Sequence, residues 1–343
     1  LASSAASDVY KRQSVNSLEL FKTQKFYQID ISILKDLGYD VLLSNRIFDS
    51  LLFWKYDILF SYFYRYSFFA ALLAKCFGKK TYFTGGIDSL DSDYASAFNY
   101  KIQALFFKLC YWVADSCIIV SQSDLKNIFK VSSLKKKLSY SEHVINTKLF
   151  IADVPKEKIF TSIVWMGDEG NVVRKGVDKA LQIFAELKKI PEFVDYRFVI
   201  IGRKGEGEVL VRSIIDKYNL KGSVELKGEV SEEDKINLLK QSKYYFQLSL
   251  YEGFGLAALE ALCANNIIIH SGKGGLANPI YKEQLLFDID NDFDSELLKL
   301  VNKLACFTPI TSYDNLLEYY DIQRRKDDFE AIIVNGKSNY KLK

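Results

Sequence analysis

At 343 residues, with 49% hydrophobic and 26% charged residues, the chain has room for two globular domains, each with its own core. A net charge of +3 gives no reason to expect nucleic acid, and no stretch reaches the roughly 18 uninterrupted apolar residues of a membrane span. The five cysteines, Cys76, Cys110, Cys117, Cys263 and Cys306, form no CxxC pair and read as reduced core thiols; with only His143 and His270, a histidine-built metal site or a Ser-His-Asp hydrolase is not expected.

Residues 1–13, LASSAASDVYKRQ, are small, polar and aperiodic, and are expected to be a disordered or non-native leader. The first domain, 14–152, begins with an amphipathic helix at 26–37 and a strand at 41–43. The strand and glycine turn that should precede that helix are expected to be missing. A strand at 56–63, a helix at 67–76 and a strand at 80–84 come next, the last ending in Thr84-Gly85-Gly86-Ile87-Asp88, a glycine turn with a carboxylate beside it. Helix 100–113 and strand 116–120 complete the alternation, with Ser121 and Ser123 both available to cap the next helix. The aromatic run from Phe53 to Phe77 suits a bilayer surface, but a buried strand and a core helix explain it more simply.

The second domain, 153–312, is easier to read. A strand at 159–166 ends in Gly167-Asp168, and Arg174-Lys175-Gly176 precedes a helix whose apolar residues Val177, Ala180, Leu181, Phe184 and Leu187 recur at helical spacing. Strand 196–201 ends in Gly202-Arg203-Lys204, and strand 224–226 leads through the turn Glu229-Val230 to a helix at 232–241. Strand 244–250 then ends in Tyr251-Glu252-Gly253-Phe254-Gly255-Leu256. A helix at 257–264 carrying Glu260, a strand at 267–269 and Gly274-Gly275 come after it, and residues 313–343 form a crossover helix and tail. Parallel α/β sheets bind ligands at the carboxyl ends of their strands, where glycines admit close approach and helix starts attract anions. Glu252 and Glu260, with seven residues between them around such a turn, suit the vicinal hydroxyls of a sugar or ribose attached to phosphate.

Taken together, Glu252-Gly253-Phe254-Gly255-Leu256, Leu259-Glu260-Ala261 and Gly274-Gly275 resemble the donor-site signature of the retaining GT-B glycosyltransferases of family 4, or glycosyl transferases group 1. The resemblance runs from about residue 26 to 330 and is dense from 163 to 275. It implies an α/β fold of two Rossmann-like doubly wound domains facing a cleft, with the C-terminal helix crossing back to the first. It further implies hexose transfer from a UDP- or GDP-linked sugar, with retention, onto a glycan or lipid-linked acceptor in cell-surface polysaccharide synthesis, as for capsule or lipopolysaccharide. Neither cofactor nor metal is expected, and the location implied is cytoplasmic, with peripheral contact at the inner face of the membrane.

By the same resemblance Lys175 neutralises the diphosphate, Glu252 contacts the sugar near the reacting carbon, and the N–H groups of Gly253, Phe254, Gly255 and Leu256 hold phosphate or sugar. Glu260 holds the ribose and the turn at Val230 faces the base. Gly167-Asp168 stands where relatives carry an Arg, leaving Arg174 and Arg203 as alternative second cations. No histidine occurs at the Gly85-Gly86 turn, where Asp88 is either a substitute or a turn former. Two other readings stay open: a metal-dependent GT-A transferase using Asp91-Ser92-Asp93, and a degenerate transferase fold serving as a scaffold.

Overall fold

The computed structural model describes residues 3–9, 17–133, 135–151, 154–307 and 314–336. The chain divides into two compact units, 1–145 with 319–343, and 146–318. In the first, a parallel sheet is built from β1 (Ser3–Val9), β2 (Tyr39–Ser44), β3 (Ile58–Tyr62), β4 (Lys80–Thr84), β5 (Ser116–Ile119) and β6 (Leu138–Tyr140), in the order β2-β1-β3-β4-β5-β6. Helices α1 (Ser17–Thr23), α2 (Lys25–Asp36), α3 (Tyr64–Cys76), α4 (Ala97–Val113) and α5 (Gln122–Val131) connect the strands. Every residue of β3 is buried, so no alternation is visible in its sequence, as expected of a strand covered on both faces.

The amino end differs from expectation. Ser3–Val9, read as part of a leader, lies between β2 and β3 and fills the strand position that was expected to be missing. A parallel ladder is made by backbone groups, so a segment without hydrophobic periodicity can still take that position. Helix α3 also starts three residues earlier than predicted, directly after Phe63, whose φ of 65° turns the chain sharply out of β3.

The second unit holds β7 (Glu157–Ile163), α6 (Glu169–Arg174), α7 (Val177–Leu187), β8 (Arg197–Ile201), α8 (Glu208–Lys217), β9 (Val224–Gly228), α9 (Glu232–Gln241), β10 (Ser242–Gln247), α10 (Leu256–Cys263), β11 (Ile267–His270), β12 (Leu285–Leu286) and α11 (Phe293–Cys306). Its parallel sheet runs β12-β11-β10-β7-β8-β9. From its β9 edge this is the doubly wound order 3-2-1-4-5-6, whose connections change direction between β7 and β10. Phe160 of β7 stacks on Tyr244 and Phe246 of β10 at 4.6 and 5.1 Å, and the predicted apolar stripe of α7 is buried over the same core. The aromatic pairs thus fix the two strands that flank the switch point.

Beyond α12 (Asp314–Tyr319), helix α13 (Ile322–Phe329) returns to the first unit, as the sequence implied. The predicted start of this terminal helix, residue 313, lies outside the described residues. Arg325, fully buried, donates from Nε and Nη2 to Asp30 of α2 at 2.6 and 2.8 Å, and from Nη1 to the carbonyls of Ser141 and Glu142. Phe329, one turn on, enters the core against Phe60. Both histidines are buried. His143 is buried beside Phe26, and His270 accepts the Gly272 N–H at Nδ1 while Nε2 faces the Tyr281 carbonyl at 3.2 Å.

Candidate active site

The site of the second unit lies where β7 and β10 end. Beyond Gln247, the chain from Leu248 to Gly255 is held on two sides by close backbone packing. The Leu250 N–H donates to the Arg174 carbonyl at 2.9 Å, and the Gly275 N–H to the Glu252 carbonyl at 2.6 Å. A Cβ on Gly176, whose φ is +69°, would run into the Leu248 carbonyl, and one on Gly274 into the Glu252 carbonyl. This is why glycines stand at both positions: the backbones on either side touch the loop directly.

Inside that frame Lys175 Nζ meets Glu252 Oε1 at 2.5 Å, with side chains only 23% and 11% exposed. Gln247 Nε2 and the Ser249 hydroxyl donate to the same oxygen at 2.8 and 2.7 Å. Tyr245 donates in turn to Gln247 Oε1 at 3.0 Å, and burial holds its phenol neutral by pushing its pKa well above the usual value. All three bonds to Glu252 fall on Oε1, so the carboxylate is fixed in orientation by one cation and two neutral donors. Immediately after it, Gly255 takes a left-handed conformation and caps α10, whose first-turn N–H groups have no intrahelical acceptors.

Lys175 precedes a helix, as expected from the sequence, but it also closes a short helix before it. It is the C-cap residue of α6 and precedes Gly176, the N-cap of α7. Its charge therefore sits favourably at one helix end, and what holds it is Glu252 rather than an absent anion. Asp168 also has a plain local role, capping α6 by accepting the Asn171 N–H at 2.6 Å.

Glu260 lies on the buried face of α10, 7% exposed, and both of its oxygens accept from Lys235 Nζ of α9, at 2.8 and 2.7 Å. The same ammonium reaches Glu232 at 3.0 Å. Sequence reasoning missed Lys235, Gln247 and Ser249. A signal was present for two of them: Lys235 stands one turn before the buried Leu239 on the inward face of its helix, and Gln247 is a buried polar residue directly after the apolar Tyr244, Tyr245 and Phe246.

The remaining predicted residues are more dispersed. Arg174 Nη2 is held by Asn171 Oδ1 at 2.7 Å, while Arg203 stands over the Trp165 ring at 6.0 Å, at the end of β8. Phe254 is packed into the interior, and Leu256 opens α10. The Val230 side chain, half-buried, packs against the cluster of Ile159, Val199, Ile201 and Leu238. Asp88 belongs to the first unit, exposed at the start of the turn Asp88–Leu90. Beside it Asp124, fully buried, accepts the Ile87 N–H at 3.3 Å and leaves Oδ2 without a partner; burial first, then Asp88, push its pKa up to about 8.

Asp91 accepts the N–H groups of Asp93 and Tyr94 in a local turn, and its other oxygen faces Asn127. Among the described residues no group of three or more His, Cys, Asp and Glu side chains is arranged to hold a metal.

Residues 170–304 match the family described as glycosyl transferases group 1. Among curated proteins, the chain is 32% identical over 163 residues to the GDP-mannose:cellobiosyl-diphosphopolyprenol alpha-mannosyltransferase of Xanthomonas oryzae pv. oryzae (strain PXO99A), a match covering 41% of this chain and 40% of that protein. It is 30% identical over 105 residues to a subunit of the human phosphatidylinositol N-acetylglucosaminyltransferase, over 31% of this chain and 21% of the relative. The matches thus span well under half of these two relatives. Among solved structures, Anabaena Alr3699/HepE in complex with UDP superposes with a TM-score of 0.70 at 12% identity, covering 97% of this chain and 100% of that one. Sucrose-phosphate synthase from Thermosynechococcus elongatus gives 0.65 at 16% identity, over 97% of both chains. At these identities the likeness shows the fold, which is GT-B and not GT-A.

Proposed function

From the group 1 glycosyl transferase domain formed by residues 170–304, we propose that this chain transfers a hexose from a nucleoside-diphosphate sugar, with retention at the anomeric carbon and without a metal, to a glycan or lipid-linked acceptor in cell-surface polysaccharide synthesis. The observation that carries the reading is the Lys175–Glu252 pair, fixed at the strand-order switch beside the start of α10. In such transfer the bond to the diphosphate breaks while negative charge grows on the leaving group. A fixed ammonium and oriented N–H groups stabilise that charge without reorganising, usually the largest contribution to catalysis.

Lys175 and the N–H groups at Gly253 to Leu256 take the diphosphate, with Arg174 or Arg203 as second cation. Glu252, held in orientation by Lys175, Gln247 and Ser249, accepts hydroxyls of the transferred sugar, while Glu260, held by Lys235, accepts those of the ribose, and the backbone at Val230 meets the base. Asp88, in the first unit, takes the role of the histidine that relatives carry at the turn matching Gly85-Gly86. A lipid-linked acceptor implies a cytoplasmic protein in peripheral contact with a membrane.

A thermal-shift screen of UDP- and GDP-linked hexoses, with and without a strong chelator, tests this. A donor at a hundred times its dissociation constant should stabilise the fold by about 2.7 kcal/mol. The shift should survive the chelator, and the product should keep the donor's anomeric configuration by NMR. No shift with any nucleotide sugar, or one abolished by the chelator, would refute the proposal.

A further inference from the structure

Helix α4 presents to solvent a face that its own sequence sets apart. Phe98, Lys101, Leu105, Lys108 and Trp112 are spaced three and four apart, so they lie in one line along the helix, opposite the buried Phe107, Cys110 and Tyr111. Phe98, Leu105 and Trp112 are 71%, 55% and 70% exposed. The helix contains no acidic residue, and neither does α3, which packs against it and adds the exposed Phe69. Large apolar side chains repeated along one exposed helix face mark an interaction site.

A second feature lies at the end of the same helix. Lys137 donates from Nζ to the Trp112 carbonyl at 2.8 Å and from its N–H to the Tyr111 hydroxyl at 3.0 Å, tying the 135–137 loop to the last turn of α4. There a cavity of about 230 Å³ is lined by Lys80, Lys136, Lys137, Ser116, Ser139 and Asp115, among others. The one carboxylate is engaged, by Lys75 at 2.9 Å and the Thr81 N–H at 2.8 Å. The ammonium groups of Lys80 and Lys136 line this small cavity beside that of Lys137, which holds the Trp112 carbonyl, and a cluster of three cations suits phosphate oxygens.

We propose that the Phe98–Leu105–Trp112 face of α4, with the lysine-lined cavity at its end, docks on an anionic phospholipid bilayer, the cavity receiving a headgroup phosphate. Apolar side chains alternating with lysines match the depth profile of an interface: the rings enter the acyl boundary while the ammonium groups extend to the phosphates. Trp at the headgroup level fits the same profile. A second copy fits worse, because two such faces meeting about a two-fold axis would bring lysine against lysine. Among the described residues no helix is long and apolar enough to cross a membrane, so the contact is one of surface. The aromatic run at 53–77 buries Ile58–Tyr62, Tyr64 and Phe68, and exposes Trp54, Phe69 and Phe77.

The surface lies wholly in the first unit and deepens the membrane contact of the proposed function; because it is tested without donor, its failure leaves the sugar-transfer test above untouched. Flotation of the full chain with vesicles of phosphatidylcholine, and of equimolar phosphatidylcholine and phosphatidylglycerol, decides it. The parent should float with the anionic vesicles only, and added salt should release it. The triple variant Phe98→Ser, Leu105→Ser, Trp112→Ser should stay unbound with an unchanged melting temperature, since all three side chains are solvent-exposed. Lys80→Glu with Lys136→Glu should weaken binding by at least about fivefold per lysine, roughly the share of one cation at an anionic surface. Three results would overturn the proposal: no flotation with anionic vesicles, equal binding by the triple variant, or a parent dimer that the triple variant dissolves.

Discussion

Glu252 carries more of the site than its sequence neighbours suggest. One of its oxygens collects an ammonium, an amide and a hydroxyl, and the lysine among them comes from a different part of the chain, 77 residues earlier. Because the pair is largely shielded from water, Lys175→Ala should act on two observables. The turnover number should fall about a hundredfold to a thousandfold, as for loss of one preorganised donor. Stability should fall as well, by about 1.5–3 kcal/mol, because a charged hydrogen bond is lost at a poorly hydrated carboxylate. Lys175→Arg should restore only part of either, since a planar fork does not reproduce a compact ammonium. Initial rates at saturating donor beside urea titrations check this; full activity in the alanine variant would remove Lys175 from the mechanism.

At the scale of elements, the alternation of strands and helices was legible because apolar runs and glycine turns are local signals. The strand-end residues Glu252 and Gly253 and the helix residue Glu260 were legible for the same reason. What was not legible was pairing between elements: Lys235 with Glu260, Gln247 with Glu252, and above all Arg325 of α13 with Asp30 of α2, separated by 295 residues. Nor does a parallel ladder leave a mark in side chains, which is how Ser3–Val9 was read as a leader. The Arg325–Asp30 pair is closed from water, with Tyr62 donating to the same carboxylate at 2.8 Å and the guanidinium 4.7 Å from the Phe329 ring. Arg325→Met should therefore cost about 3–5 kcal/mol by leaving Asp30 buried without its partner. Adding Asp30→Leu should recover most of it. If the single variant melted like the parent, α13 would not be fastening the first unit.

For the whole molecule, one buried group in each of the two units should answer pH in opposite senses. In the second, burial lowers His270 to about 4 from its ordinary 6.5, so the unfolded chain binds the proton first. That contribution is complete above pH 6.5 and is lost as pH falls towards 4. In the first, Asp124 is raised to about 8 from 3.8, so its contribution is complete below pH 3.8 and is lost as pH rises towards 8. His270→Gln should flatten the acid slope of the second unit, and Asp124→Asn the slope of the first as pH rises from 3.8 towards 8. Hydrogen exchange, which reports each unit separately, would show it; unchanged slopes in both variants would contradict the assignment.

The return of α13 also orders events in time. Residues 146–318 are contiguous, whereas the first unit is completed only by the segment from Tyr319 onwards, joined at the seam where the Ile145 N–H bonds the Tyr320 carbonyl at 3.0 Å. On a chain synthesised from its amino end, the unit begun first therefore cannot be the one finished first. Asp30 waits, without its Arg325 counterion, until that residue has left the ribosome. Closing so long a loop costs entropy that grows only logarithmically with its length, and prior folding of the intervening unit shortens the span still to be closed. A nascent chain halted before α13 would thus hold a completed second unit and an unfinished first one, with the face of α2 that receives α13 still open to misassembly.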